Sequence, residues 1–131
     1  MTQLAINAIA PFFIVRNAPE SVAFYRDKLG FDVVYQGPEG DPFYGMVCRG
    51  GARLMVKAVG VEPQSNSTRH PWVPWDAYIN TTDPDALAAE FASRGVVFSA
   101  PLKDTSDGLR GFELKDPDGY VIFFGRPMDD E

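Results

Sequence analysis

Residues 17–31 read NAPESVAFYRDKLGF, and this stretch decides the fold. Asn17 is a residue type that caps helix N-termini, while Pro19 and Glu20 suit the first helical turn. Gly30 is typical of the residue that ends a helix. An apolar stripe at helical spacing lies between these ends, formed by Val22, Tyr25 and Leu29. The stretch therefore predicts one amphipathic helix.

The segments around this helix predict β-strands. Residues 4–15 are apolar and rich in Ile and Phe, although Pro11 suggests an edge or a bulge there. After the helix, three further strands are predicted at residues 31–35, 43–49 and 52–59. Gly50 and Gly51 provide the last hairpin turn. Residues 62–69 are polar, which favours a linker or a loop.

The second half of the chain repeats this order. A strand is predicted at residues 75–80, followed by a helix that begins at residues 83–85 and ends at Gly95. Three more strands are predicted at residues 96–99, 111–114 and 120–125. The two glycines that end the helices lie about 65 residues apart, a long internal period that indicates a duplicated module.

The duplication predicts an α+β fold made of two tandem βαβββ modules. We expect one domain over residues 1–131, with module one at about 4–59 and module two at about 72–127. Neither module covers its own apolar face well, so the two four-stranded sheets should join into a curved mixed sheet that forms a cup, with the helices outside. A ferredoxin-like sandwich is the alternative fold.

Composition narrows the classes of partner. The formal net charge is −6, and lysines and arginines are scattered, which argues against nucleic-acid binding. No segment approaches the ~20 apolar residues of a membrane span, and no signal-peptide pattern is visible at the N-terminus. Cys48 is the single cysteine, which agrees with a reducing compartment. These features predict a cytoplasmic protein with a small-molecule partner.

Three motifs carry a family resemblance. Residues 24–31 read FYRDKLGF, residues 82–87 read TDPDAL, and residues 116–120 read DPDGY. In this order and separation they resemble the vicinal oxygen chelate superfamily, which comprises glyoxalases, bleomycin resistance proteins and dioxygenases. The resemblance spans nearly the whole chain and implies the fold of that superfamily. It does not fix the function, because the superfamily contains both enzymes and drug-binding proteins.

The resemblance also indicates where a metal would be bound. Enzymes of this superfamily hold a divalent metal with His and Glu side chains, and the matched positions here are Ala10, Met55, Asp76 and Phe123. Only Asp76 could ligate a metal, and one carboxylate does not hold a catalytic ion. The single histidine, His70, lies in the polar linker. We therefore expect no metal and no cofactor, as in members of the bleomycin resistance type.

Strand alternation predicts which residues face the cup. An aromatic and thioether-lined pocket with a few charged groups suits a planar organic ligand. The alternative is that the apolar residues of this pocket only fill the protein interior. The predicted ligand-binding residues are Phe12, Met55, Lys57, Trp75, Asp76, Tyr78 and Phe123.

Two functions fit the sequence. The first is a metal-independent binding protein of the bleomycin-resistance type, which sequesters a planar aromatic or cationic ligand and thereby gives antibiotic resistance. The alternative is a lyase, isomerase or dioxygenase of the same superfamily, for which Asp76 facing Lys57 would supply an acid/base pair. For both functions we expect a homodimer, because a duplicated curved sheet leaves strand edges and apolar surface for a partner to cover.

Overall fold

A computed structural model describes residues 4–128 of the chain. The strands and helices follow the duplicated order that the sequence predicts. They are β1 (Phe12–Ile14), α1 (Ala18–Asp27), β2 (Asp32–Gly37), β3 (Tyr44–Arg49), β4 (Ala52–Lys57), α2 (Asn66–Arg69), β5 (Ala77–Asn80), α3 (Pro84–Ser93), β6 (Phe98–Asp104), β7 (Leu109–Lys115) and β8 (Val121–Pro127).

The strands form two mixed four-stranded sheets with the same topology. One has the order β1-β4-β3-β2, and the other has the order β5-β8-β7-β6. In each sheet the first strand runs parallel to the last strand of its module, and the remaining pairs are antiparallel. This arrangement confirms the α+β fold class and the repeated βαβββ order. Between residues 4 and 128 no strand ladder joins the two sheets, so the cup is not closed.

Local sequence explains where the two long helices begin. The Asn17 side chain accepts a hydrogen bond from the Glu20 amide at 2.9 Å, and the Asp83 side chain accepts one from the Ala86 amide at 3.0 Å. Helix α1 packs closely on β3 because residue 45 is a glycine, where a Cβ atom would lie only 2.5 Å from Cγ2 of Val22. Each long helix thereby covers one face of its own sheet and leaves the other face open.

The helix-covered faces of both modules merge into one core. Alternate strand residues such as Phe13 and Val56 point towards α1, and Phe112 and Phe124 point towards α3. The ring centroids of Phe112 and Phe124 lie 5.4 Å apart, and the two rings are stacked. Because one apolar cluster includes residues of both sheets, the two modules are fixed to each other.

The turn before β8 ties the second module to the first. Tyr25 of α1 donates a hydrogen bond of 2.7 Å to the buried carboxylate of Asp116. Tyr120 stacks on Phe13 with ring centroids 4.2 Å apart, and its hydroxyl donates to the carbonyl oxygen of Ile14 at 2.6 Å. The DPDG turn thus connects the two modules structurally.

The largest differences from the sequence-based expectation concern the first strand, β6 and the polar linker. The first strand was predicted from residue 4, but β1 begins at Phe12, because no neighbouring strand in the chain pairs with residues 4–10. Strand β6 continues to Asp104, since β7 offers a partner along that length. The polar linker contains the short helix α2. Among the described residues, none of the helices has both the length and the apolar character of a membrane span.

Candidate functional site

The candidate site is the open face of each sheet, opposite the helices. Residues that pair directly across neighbouring strands have side chains on the same face. Phe12 pairs with Met55, and Met55 pairs with Met46. In the second sheet Tyr78 pairs with Phe123, and Phe123 pairs with Glu113. These rows contain four of the predicted ligand-binding residues.

The open face of the first sheet carries an aromatic and thioether surface, which we call the β1–β4 cluster. Phe12 is 55% exposed, and its ring meets that of Tyr44 edge-on at 6.0 Å. Tyr35 is 53% exposed and lies 5.7 Å from Tyr44, centroid to centroid. The cluster consists of Phe12, Tyr35, Tyr44, Met46, Met55 and Lys57. Exposed aromatic surface of this kind makes the cluster a candidate binding surface.

The open face of the second sheet carries a stacked aromatic group beside a carboxylate, which we call the β5–β8 cluster. Trp75 stacks on Phe123 with ring centroids 4.3 Å apart, and Tyr78 stacks on Phe123 at 5.7 Å. The indole N–H of Trp75 donates to Oε2 of Glu113 at 2.9 Å. Phe123 is only 3% exposed, so Trp75 and the 40% exposed Tyr78 are the members that a ligand would meet.

Two paired glycines leave the space in which the Phe123 ring lies on the sheet. Gly111 of β7 and Gly125 of β8 are paired neighbours on the same face as Phe123. A Cβ atom at Gly111 would lie 2.5 Å from the Phe123 ring, and one at Gly125 would lie 2.6 Å from it. The ring can therefore lie flat over the strands only because neither neighbour has a side chain.

The two charged residues that the sequence predicts in the site, Asp76 and Lys57, contact other residues of the same chain. Oδ1 of Asp76 accepts a hydrogen bond from the Asn66 amide at 2.7 Å, and Oδ2 accepts one from the Val121 amide at 2.8 Å. Asp76 therefore fastens α2 and the linker to the start of β8. Lys57 lies over the Phe43 ring, with Nζ 5.8 Å from the ring centroid. In the described part of the chain, Asp76 and Lys57 form no ion pair, so the acid/base pair expected for an enzyme is not assembled.

The predicted site residues thus fall into two groups within one chain. Phe12, Met55 and Lys57 lie on the first sheet, while Trp75, Tyr78 and Phe123 lie on the second. Over residues 4–128, no ring contact, hydrogen bond or ion pair joins the β1–β4 cluster to the β5–β8 cluster. A single chain therefore carries two separate aromatic clusters.

The donor set does not fit the divalent metal that enzymes of this fold hold. Ala10 and Phe123 offer no metal-binding atom, and Met55 offers only a thioether, a soft ligand. Both carboxylate oxygens of Asp76 accept backbone hydrogen bonds. Across residues 4–128 no group of three His, Cys, Asp or Glu side chains is placed to hold an ion. No chemical step can be derived through a metal at these positions.

Sequence reasoning missed Glu113, Tyr35, Tyr44 and Met46. The alternation in β7 was a usable signal, since Glu113 stands between the buried residues Phe112 and Leu114 and must face the other way. What the sequence did not reveal was the strand register that sets Glu113 opposite Phe123.

The fold and the two aromatic clusters define a duplicated βαβββ protein with open aromatic sheet faces. The family model for the Glyoxalase/Bleomycin resistance protein/Dioxygenase superfamily matches residues 5–124. The chain belongs to this superfamily, as the motifs at residues 24–31, 82–87 and 116–120 predict.

Solved structures show the same fold. The bleomycin-binding protein from bleomycin-producing Streptomyces verticillus, complexed with copper(II)-bleomycin, is 28% identical, with 93% of this chain and 97% of that chain covered and a TM-score of 0.66. A glyoxalase/bleomycin resistance protein/dioxygenase from Alicyclobacillus acidocaldarius is 22% identical, with coverages of 94% and 92% and a TM-score of 0.76. TnmS3, an antibiotic-binding protein from Streptomyces sp. CB03234, is 24% identical, with coverages of 95% and 99% and a TM-score of 0.63. Comparison with curated proteins gives no match.

Proposed function

We propose that this protein is a metal-independent binding protein that sequesters a planar, cationic aromatic molecule of the antibiotic type. The observation that carries this proposal is the β5–β8 cluster, in which a carboxylate stands beside stacked rings. Aromatic faces attract flat ligands and cations, and a partly buried carboxylate adds attraction for a positive charge. The similarity to bleomycin-binding and antibiotic-binding proteins supports the same role.

Glu113 is the residue that gives the site its preference for cations. Its side chain is half-buried between Trp75 and Ser99, whose hydroxyl lies 3.3 Å from Oε1. These two contacts hold the carboxylate beside the rings, while Asp76 is occupied by backbone amides. We therefore assign the charge recognition that the sequence suggested for Asp76 to Glu113.

We further propose that a homodimer completes the site. Each chain exposes one aromatic sheet face from each module, and a ligand on a single open face would stay largely in water. Pairing the β1–β4 cluster of one copy with the β5–β8 cluster of another would enclose a planar ligand between two aromatic surfaces. Exposed apolar residues before β1 also favour a partner: Leu4, Ile6 and Ile9 are 91%, 95% and 85% exposed.

Tryptophan fluorescence tests the binding proposal. The chain has two tryptophans, and Trp72 is 87% exposed, so a Trp72→Phe background leaves Trp75 as the sole reporter. Metal-free bleomycin and N-methylquinolinium should quench Trp75 saturably, while neutral quinoline should bind less tightly. Addition of EDTA should leave the affinities unchanged. Absence of saturable quenching with all three compounds would refute the proposed function.

A matched pair of variants tests the role of Glu113. Glu113→Gln keeps an oxygen for the Trp75 indole N–H but removes the charge, so N-methylquinolinium should bind about tenfold more weakly, while quinoline changes little. Glu39→Gln removes the same charge from an exposed loop and should leave both affinities unchanged. Equal loss in both variants would mean that only the net charge matters.

The dimer proposal predicts a measurable mass. Light scattering at micromolar concentration should give twice the 14.5 kDa of one chain. Ile6→Asp places a charge in the exposed apolar segment and should weaken dimerisation at least about tenfold, because a charge would have to be buried against the partner. A monomeric wild-type protein would contradict this prediction.

We also place the protein in the cytoplasm, with which its single cysteine, Cys48, is compatible.

A further inference from the structure

A cavity of about 630 Å³ lies between the two modules and borders the β5–β8 cluster at Tyr78. It is bordered by the hairpin at residues 50–52, by β5 and by the residues just before α3. Of the predicted site residues, only Tyr78 contributes to its lining. Its volume falls within the range of roughly 300 to 1,000 Å³ that small-molecule sites occupy.

The inner part of this cavity is apolar. Its floor consists of core side chains from both modules, of which Leu54 is 3% exposed and Phe91 and Ile122 are fully buried. Ile79 of β5 and Leu87 of α3 line the wall and are half-buried. A ligand would therefore place a hydrocarbon chain or ring there, because burying such surface is favourable by about 25 cal/mol per Å².

The outer part of the cavity is basic and polar. Arg49 and Arg53 line it together with Asn80, Thr81 and Thr82. No Asp or Glu within residues 4–128 does, although the chain carries a net charge of −6. The lining is therefore opposite in charge to the protein as a whole, and this charge pattern favours an anion.

The two arginines differ in how they are engaged. Arg49 donates to Glu90 at 2.8 Å and to the carbonyl oxygen of Leu29 at 2.7 Å, so its charge is largely compensated. The Arg53 side chain is exposed and makes no hydrogen bond or ion pair in the described part of the chain. Beside it, β5 is an edge strand, which leaves backbone N–H groups as further donors.

We propose that this cavity is a second small-molecule site, which takes an anionic amphiphile, a carboxylate on an apolar chain or ring. The carboxylate binds at Arg53 and the hydroxyls of Thr81 and Thr82, and the apolar part covers Leu54 and Ile79. Its charge preference is opposite to that of the β5–β8 cluster. The two sites therefore favour different ligands, and this proposal does not rest on the proposed function.

Three ligands with the same eight-carbon chain test the charge preference. Octanoate, 1-octanol and octyltrimethylammonium are titrated into the full-length protein by calorimetry. Octanoate should bind saturably and at least about tenfold more tightly than the ammonium compound, because opposite charges meet at the rim. In amide NMR spectra it should shift Gly51, Thr81 and Thr82 and leave the Trp75 indole signal in place. Equal affinities for the anion and the cation would overturn the proposal.

Exposed-residue variants then locate the site without disturbing the fold. Arg53→Gln and Thr82→Glu should each weaken octanoate binding about tenfold, while Arg69→Gln, which removes a charge outside the cavity, should leave it unchanged. The same affinity in Arg53→Gln and Arg69→Gln would refute the assignment. Octanoate binding by Ile6→Asp but not by wild type would mean that a second copy fills the cavity, and that result would also overturn the proposal.

Discussion

Asp116→Ala is expected to lower the free energy of unfolding by about 3 to 5 kcal/mol. The Asp116 side chain is 5% exposed and accepts three hydrogen bonds, from the Tyr25 hydroxyl at 2.7 Å and from the amides of Asp118 and Tyr120 at 2.9 Å each. Alanine would leave these donors without a partner in the joint between the modules, and each unsatisfied buried group costs about 1 to 3 kcal/mol. Urea denaturation measures the effect.

The same carboxylate predicts a pH dependence. Burial raises the pKa of Asp116 to about 6, although the Tyr25 hydroxyl and two backbone amides favour the ionised form. Because this pKa is higher in the folded than in the unfolded chain, the site stabilises the fold at low pH. That contribution falls by about 2 to 3 kcal/mol as the pH rises from 4 to 7. Asp116→Asn should lack this component.

Comparison with Asp116→Asn and Asp41→Ala isolates the contribution of Asp116 to the pH dependence of stability. The wild type and Asp116→Asn are unfolded at pH 4, 5, 6 and 7, and the difference between their stabilities removes the contribution of the other carboxylates. Asp41→Ala, at an exposed position in the loop between β2 and β3, should change stability by no more than about 0.5 kcal/mol. A pH-independent difference between wild type and Asp116→Asn would contradict the raised pKa.

Gly111→Ala is expected to destabilise the protein by about 2 to 3 kcal/mol and to abolish ligand-induced quenching of Trp75. The added Cβ would meet the carbonyl oxygen of Phe124 and would lie 2.5 Å from the Phe123 ring. Backbone cannot move aside cheaply in the middle of a sheet, so the ring is displaced and the strands are strained. Loss of the Phe123 platform removes the surface on which Trp75 stacks. Near-ultraviolet circular dichroism and the quenching titration measure both effects.

Gly51→Ala serves as the control for this substitution. A Cβ at Gly51 would meet no atom within 4 Å, and Gly51 does not have a positive φ, so the variant should unfold like wild type and bind N-methylquinolinium normally. If Gly111→Ala matched Gly51→Ala in both stability and quenching, the position of the Phe123 ring over Gly111 and Gly125 would have no role in the site.

The sequence predicted the helices better than the strands because helix signals are local. Asn17 and Asp83 accept the capping hydrogen bonds that their residue types imply, and Gly30 follows the first helix with a φ of 71°. The strand at residues 4–15 was predicted too long. An apolar run forms a strand only where a neighbour pairs with it, and only Phe12–Ile14 pair with β4.

The candidate site was only partly predictable. Alternation correctly placed Phe12 and Met55 on one face and Tyr78 and Phe123 on another, because side-chain direction along a strand has a period of two. The role of Asp76 could not be read in this way. Its carboxylate is held by amides of Asn66 and Val121, and such contacts between distant segments leave no mark on local sequence pattern.

The sequence by itself determined the duplicated βαβββ order and the superfamily, since these depend on residue type, spacing and period. The tertiary structure alone decided that the two aromatic clusters lie on separate sheets, that Glu113 is the carboxylate beside Trp75, and that a cavity lined by two arginines lies between the modules. The physical reason is that strand register and module packing bring together residues far apart in the chain. The distances between these residues in space therefore depend on the whole fold.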